Sequence, residues 1–403
     1  MKNIIIILID AFRPKNLSLF GYGKETDKNL KEIAKEGIVF RNFFPGSNAT
    51  APSLTSIFTG KLPKNHGIIH QFPYTTEEEI GTMYGQKTFW LPSFLKEKGY
   101  RTMAIDWIGM FFEDGFDFYK EREEWQGENK VPTHFSPVKD TTDLAISKIK
   151  EEAKPFFLFL HLWDTHFPFL TTEYKGDKKE DINEVLKEIE GDIQKEYYKK
   201  KVQVEGNDLY SLKDMVGKYD AAITEVDKQI GRLCQYLKEE GLWDNIILLA
   251  LGDHGTNLTE HNIYFSSSSL YDDTIHAPLI AHFPGFSKAE VEGFVQDTDI
   301  APTILELIGE KSEEEWKFDG KSMINLIKNN EEIRDKVLFY DGLEEDVRGV
   351  RTKDRKVIYA PSRKCHLCKG EHHKEWEEYD LKNDPEEKNN IYSKIGPLAE
   401  NII

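Results

Sequence analysis

The sequence predicts an α/β protein with a largely parallel central sheet and a small antiparallel subdomain near its C-terminal end. Three observations carry this. Residues 3–9 (NIIIILI), 155–163 (PFFLFLHLW) and 245–251 (NIILLAL) are apolar almost throughout instead of alternating, which is how strands buried on both faces of a parallel sheet read. Stretches with helical spacing lie between them, the longest running from Tyr210 to Glu240 with Met215, Tyr219, Ala222, Val226, Ile230, Leu233 and Leu237 at three- and four-residue steps. From about residue 331 the pattern changes to short strands at 337–340, 347–352, 356–359 and 379–381.

The 403 residues suffice for one large α/β domain or two. The expected organisation is a catalytic domain over 1–330, with insertions near 111–138 and 175–210, and an α+β subdomain over 331–403 packed on it. A net charge of −18 argues against nucleic acid and anionic membrane surfaces as partners. A small anionic substrate would need local positive charge, most simply a metal ion. Three Cys imply no disulfide framework and fit a reducing compartment. The run Ile4–Ile9 is too short to span a membrane and no small-residue cleavage site follows, so a cytoplasmic protein is expected.

In chain order, the first buried strand stops at Asp10. Ligands of open α/β sheets collect at the carboxyl ends of strands, so Asp10 is a ligand candidate, a turn or cap residue being the other reading. Residues 26–36 read as a helix that Gly37 ends, and 38–40 as a strand. In Ser47–Gly60, small and hydroxyl residues precede Ile57-Phe58, as in a loop entering a helix. Pro52 suits the first helical turn. Thr50 then lies near a helix N-terminus, where free N–H groups and the macrodipole favour an anion. A hydroxyl held there is placed to bind a metal and attack phosphorus or sulfur, or is a plain helix cap. Residues 61–67 form a polar turn carrying Lys61 and His66.

A helix over 89–98 and a strand over 100–105 lead to Asp106-Trp107, and 141–152 reads as a helix. The 155–163 strand ends in Asp164-Thr165-His166, again a carboxylate and an imidazole at a strand end. Residues 175–203 are dense in Lys and Glu and read as solvated helix and loop. Cys234, on the long helix, reads as an inert core thiol. The 245–251 strand ends in Gly252-Asp253-His254-Gly255. Carboxylate oxygen and imidazole nitrogen suit a divalent metal, and flanking glycines let backbone approach closely. His261, His276 and His282 follow, and the serines at 266–269 read as a mobile loop. Residues 297–308 form a helix that Gly309 closes. Cys365 and Cys368, with His372 and His373 beyond, have the spacing of a structural zinc site stapling a hairpin tip, or else of free thiols in an exposed loop.

Taken together, TAPSLTSIFTG (50–60), HLWDTHFPF (161–169), LALGDHG (249–255), LYDDTIHAPLIAHFPG (270–285), QDTDIAPTILELIG (296–309) and the blocks within 350–391 resemble, in order, the sulfatase-type branch of the alkaline phosphatase superfamily. The resemblance covers nearly the whole chain. It implies the alkaline-phosphatase-like three-layer sandwich. It also implies one divalent ion (Mn, Zn, Mg or Ca) on Asp10, Asp253 and His254, with Thr50 completing the site as nucleophile. His166 would meet the anionic group or the leaving oxygen. Asp164, His261, His276 and Lys61 are further candidates for a second metal or for substrate.

The departures are equally informative. Sulfatases convert a Cys or Ser to formylglycine where this chain has Thr50, and Leu54 replaces the signature Arg. Trp107 and Gly109 stand where a Lys-x-His is usual, and Ser267 and Ser268 where a Lys or His precedes the Leu-Tyr block. Several groups that grip sulfate are thus missing. Threonine nucleophiles belong to phosphodiesterase-like, phosphonate-hydrolysing and phosphoglycerol-transferring relatives. The expected function is metal-dependent hydrolysis of phosphorus esters through Thr50. A sulfatase using unmodified Thr50, a phosphoglycerol-type transferase and a non-catalytic anion-binding relative are the other readings.

Overall fold

The computed structural model describes residues 1–85, 88–106, 108–120, 137–152, 155–169, 174–205, 209–344, 346–362 and 365–402. The chain divides into two compact units, one of Met1–Val39, Trp90–Gly252 and Leu279–Ala289, the other of Phe40–Phe89, Asp253–Pro278 and Glu290–Ile403.

The first unit holds the parallel sheet. The Asn3–Ile9 strand lies between Ile246–Gly252 and Phe156–Leu162 and is parallel to both, with Ile9 paired to Gly252 on one side and to Leu162 on the other. Arg101–Ile105 and then Phe118–Lys120 extend the sheet in parallel beyond Phe156–Leu162. On the far side of Ile246–Gly252, residues 279–282 run antiparallel to it. All residues of the three central strands are buried, as their unbroken apolar sequences require.

The helix Leu212–Glu239 packs on Lys28–Glu36 and Val138–Lys150, burying the Met215–Leu237 face seen in the sequence. Its Asp227 accepts the backbone N–H groups of Asn29 and Leu30, each at 2.8 Å. These are first-turn donors that have no partner within their own helix. The helix expected at 141–152 begins earlier, at Val138 just after Pro137. Of the expected 111–138 insertion, residues 121–136 lie outside the described residues, and Phe118–Lys120 is a sheet strand. In the 175–210 segment, Ile182–Leu186 and Asp192–Glu205 are helices. Among the described residues, no helix is long and apolar enough to cross a membrane.

In the second unit the helix Thr50–Thr59 is buried along its whole length. Val337–Tyr340, Arg348–Arg351, Arg355–Tyr359 and Trp376–Asp380 form a four-stranded antiparallel sheet in that order. This sheet lies in the same compact unit as residues 40–89 and 253–278. The serine run at 266–269 is not loose, contrary to expectation. Ser266, Ser268 and Ser269 are buried, and Asn48 Nδ2 donates to the carbonyls of Ser267 and Ser269, both at 2.9 Å.

One turn in the first unit is held from several sides. The Asp10 N–H donates to the Leu162 carbonyl at 2.9 Å, and the Thr165 hydroxyl donates to the Asp10 carbonyl at 2.6 Å. Ala11 then adopts a left-handed φ of 52°, which a residue bearing a Cβ takes only under outside constraint. Tyr219 supplies that constraint. Its hydroxyl donates to the Ala11 carbonyl at 2.8 Å and accepts the Arg13 N–H at 3.3 Å. Tyr219→Phe removes both hydrogen bonds in a buried place and is expected to cost about 1–3 kcal/mol. Denaturant unfolding measures this, and a midpoint equal to wild type would show that the turn holds itself.

Candidate active site

The strand ends of the first unit carry a chain of buried polar groups. Asp10 is the residue after Ile9, and its Oδ2 lies 3.5 Å from His161 Nε2. His161 Nδ1 is 2.6 Å from Asp106 Oδ1, and the Tyr119 hydroxyl donates to the other oxygen of Asp106. Both partners of the His161 pair with Asp10 are fully buried. Burial alone would favour a neutral ring, but the Asp10 and Asp106 carboxylates outweigh it and raise the His161 pKa to about 10. Burial and the Asp106 charge likewise hold the Tyr119 hydroxyl well above its usual range. Sequence reading passed over His161 because it treated 155–163 as strand alone. The available signal was a histidine inside an otherwise apolar buried run, two residues before the Trp163 that ends it.

Two neighbours differ in their availability. Asp164 Oδ1 accepts the N–H of Val138 at 3.0 Å, so its carboxyl serves the start of the Val138–Lys150 helix. Burial pushes its pKa up to about 7, against the pull of that N–H. This is a capping position, where the sequence suggested a second metal or substrate. His166 is half-buried, with Nδ1 donating to the Phe167 carbonyl at 2.7 Å and its ring 4.8 Å from that of Trp163.

In the second unit, Thr50 is the first residue of its helix, and no side chain caps that end. The loop before it is pinned by Asn48, which holds the serine carbonyls and accepts the Gly342 N–H at 2.8 Å. Gln71 Oε1 accepts the Ala51 N–H at 2.8 Å. Thr50 Oγ1 lies 3.3 Å from His254 Nε2. His254 Nδ1 is 2.7 Å from the Gly255 carbonyl. A carbonyl only accepts, which assigns the proton to Nδ1 and turns the Nε2 lone pair toward Thr50. Asp253 accepts the His254 N–H through Oδ1 at 2.8 Å, and its Oδ2 lies 3.5 Å from His254 Nε2. Two acceptors converging in a buried place form an arrangement that a cation satisfies, and the carboxylate–imidazole donor set fits a divalent metal. Gly255 is required by close backbone approach, since a Cβ there would lie 2.2 Å from the Asp273 carbonyl oxygen.

The remaining candidates are placed otherwise. His276 is half-buried, stacks on Phe44 at 4.8 Å and approaches the Arg41 carbonyl at 2.8 Å; desolvation lowers its pKa to about 4. That is a packing role. His261 stacks on Tyr271 at 3.7 Å, with Nε2 3.8 Å from Asp273 Oδ2. Lys61 is buried behind the helix C-terminus, and burial lowers its pKa against the nearby Asp319 charge. His66, expected in a polar turn, is fully buried: its Nδ1 accepts the Ile68 N–H, and Nε2 lies 3.1 Å from Ser56 Oγ. One donor atom from each of Cys365, Cys368 and His372 lies within 4.8 Å of the others. His373 does not join them. Its Nε2 accepts the Leu270 N–H and its Nδ1 bonds Glu377, each at 3.0 Å.

Known proteins can be set beside this geometry. Residues 2–310 match the Sulfatase family, and residues 259–400 match the family described as N-sulphoglucosamine sulphohydrolase, C-terminal. An N-acetylglucosamine-6-O-sulfatase of Bacteroides thetaiotaomicron is 26% identical, the alignment covering 97% of this chain and 83% of that one. An arylsulfatase of Clostridium perfringens is 25% identical over 96% of this chain and 90% of its own. The phosphonate monoester hydrolase of Agrobacterium radiobacter superposes with a TM-score of 0.69 at 18% identity, covering 97% of this chain and 91% of that one; at that identity the likeness is one of fold. With a family match over more than half its length and the same α/β fold, this chain belongs to the sulfatase family of the alkaline phosphatase superfamily and is an ester hydrolase.

Proposed function

We propose that this hydrolase cleaves phosphorus esters — phosphodiesters, phosphonate monoesters or phosphomonoesters — with the unmodified Thr50 hydroxyl as nucleophile. The observation that carries this reading is Thr50 Oγ1 at a helix N-terminus, 3.3 Å from a His254 nitrogen that turns its lone pair toward it. The chemistry of threonine supports phosphorus over sulfur. A Cys or Ser side chain is a CH₂ group that oxidises to the formylglycine aldehyde. The Thr50 Cβ carries a methyl group, so the same oxidation would stop at a ketone. Hydrated formylglycine has a second hydroxyl that can expel sulfate by collapsing to the aldehyde, and Thr50 has one hydroxyl. An ester on Thr50 must therefore be released by attack at the central atom, an ordinary route for phosphorus.

Asp10, Asp253 and His254 are the residues that would hold the metal, with Thr50 completing the set. Ile9 and Gly252 are register partners, so Asp10 and Asp253 are the next residue along two paired parallel strands. Bound there, a divalent ion would lower the Thr50 hydroxyl pKa and offset negative charge on the transferred group. In the first step Thr50 Oγ attacks phosphorus, the Oγ–P bond forms and the bond to the leaving oxygen breaks. His166 is assigned to the leaving oxygen, which departs as the alcohol. Water then attacks phosphorus, the Oγ–P bond breaks and Thr50 regains its proton. A second reading, sulfuric ester hydrolysis by unmodified Thr50, is favoured by the sulfatase names of the relatives.

Thr50→Ala is expected to lower kcat at least about 1,000-fold with an unchanged melting temperature, and Thr50→Ser to keep measurable turnover. Equal activity in Thr50→Ala would end the nucleophile assignment. On a panel of aryl phosphodiester, phosphonate monoester, phosphomonoester and sulfate esters, turnover is expected to be highest on one of the phosphorus esters. Preference for the sulfate ester would establish the second reading, and transfer to an added glycerol in place of water would make the enzyme a transferase.

Chelation is expected to abolish turnover and added divalent ion to restore it. Asp253→Asn should raise the ion concentration needed by about 10-fold or more. Full turnover by metal-free protein would remove the ion from the reaction, and no turnover on any ester would favour an anion-binding protein.

A further inference from the structure

The segment joining the Arg355–Tyr359 and Trp376–Asp380 strands carries Cys365, Cys368 and His372, which the proposed ester chemistry does not use. Its backbone is folded around the sulfurs. The Cys365 N–H donates to the Gly370 carbonyl and the Lys369 N–H donates to the Cys365 carbonyl, both at 3.0 Å. Lys369 takes a left-handed φ of 63° to close this turn. The Gly370 N–H then points at Cys368 Sγ at 3.2 Å, and His372 Nε2 lies 3.1 Å from the same sulfur. An amide aimed at sulfur favours the thiolate, the form that binds metal. All three cysteines of the chain are free thiols, and Cys365 is buried.

A second observation points to a cation at the same place. Glu344 faces Cys365 across an antiparallel bridge, and the His366 N–H donates to the Leu343 carbonyl beside it at 2.8 Å. Glu344 is fully buried, and neither of its carboxylate oxygens has a hydrogen-bond partner among the described residues. The neighbouring Asp341 accepts the N–H groups of Leu343 and Glu344 through Oδ1, while its Oδ2 also lacks a partner among those residues. Buried carboxylates left without donors are costly unless a positive charge answers them.

We propose that Cys365, Cys368 and His372 bind a structural zinc ion, whose positive charge answers the buried Glu344 carboxylate across the bridge from Cys365. Two thiolates and an imidazole are donors of four-coordinate zinc. The two thiols lose their protons on binding, so uptake releases protons. The ion fastens the 365–372 loop to the 341–344 turn. That turn is tied to the loop before Thr50, because Gly342 donates to Asn48 Oδ1 at 2.8 Å and accepts the Gln71 N–H at 2.9 Å. The zinc ion thereby steadies the wall beside the Thr50 helix and takes no part in the ester chemistry.

The test is titration of the full-length, reduced, metal-free protein with cobalt(II), followed in the near-ultraviolet and visible. Wild type is expected to develop a thiolate-to-cobalt charge-transfer band and the intense visible bands of tetrahedral cobalt, both removed by one equivalent of zinc. Cys368→Ser should lose the charge-transfer band and Asp253→Asn should keep it, which separates this ion from the one proposed for catalysis. Glu344→Gln should weaken zinc binding about 10-fold or more; unchanged affinity would remove Glu344 from the site. If Cys368→Ser does not fold, His372→Ala, at a partly exposed position, should shift the visible bands. Absence of the charge-transfer band in wild type, its survival in Cys368→Ser, or a Cys365–Cys368 disulfide in protein purified without oxidant would each overturn the proposal.

Discussion

The register of the Asn3–Ile9 strand is the constraint on which the first unit depends. It is parallel to both neighbours, with Ile9 level with Gly252 and Leu162. Parallel strands end together, so whatever follows each one leaves from the same end of the sheet. The residues that follow are Asp10, Trp163-Asp164 and Asp253. A slip of one residue would send every side chain of the strand to the opposite face. Such a slip is resisted because the strands are apolar on both faces and every side chain already has a packed place.

Holding charge at such an end requires partners, and the first unit supplies them as a relay of contacts. Asp10, His161, Asp106 and Tyr119 follow one another at bonding or near-bonding distance. His161 lies between two carboxylates, whose charges raise its pKa against burial. Tyr219 and Thr165 fix the backbone around Asp10, so the carboxylate has little freedom to reorient.

The second unit solves a different problem, the presentation of one hydroxyl. Thr50 sits at the start of a helix whose every residue is buried, so the helix cannot swing. Asn48 and the serine run consume the polar groups of the approaching loop, and Gln71 holds the Ala51 N–H of the first turn. Gly255 and Gly342 permit the close backbone approaches on which this depends. A Cβ on Gly342 would lie 2.4 Å from that of Ala49. The hydroxyl is rigidly placed because the loops around it are hydrogen-bonded to each other, although they are far apart in sequence.

The sequence by itself determined the fold class, the three central strands, the long helix face, and Asp10, Thr50, Asp253 and His254 as residues at strand ends and a helix start. Those features rest on local patterns: unbroken apolar runs, helical spacing, and polar residues where a run stops. The family blocks were legible for the same reason, each being a short contiguous stretch. Only the tertiary structure decided the rest. His161 proved to be a member of the polar relay, Asp164 a helix cap, His276 a packing residue, His66 a core residue, and His373 a partner of Glu377 and Leu270. The serine run became a buried strut for Asn48, and the C-terminal sheet joined residues 40–89 and 253–278 in one unit. Most of these turn on a partner distant in the chain, such as Val138 for Asp164, Arg41 for His276 or Leu270 for His373. A side chain's role is set by which donor or acceptor the fold brings within about 3 Å of it, and that distance is a property of the packed chain and not of its local sequence.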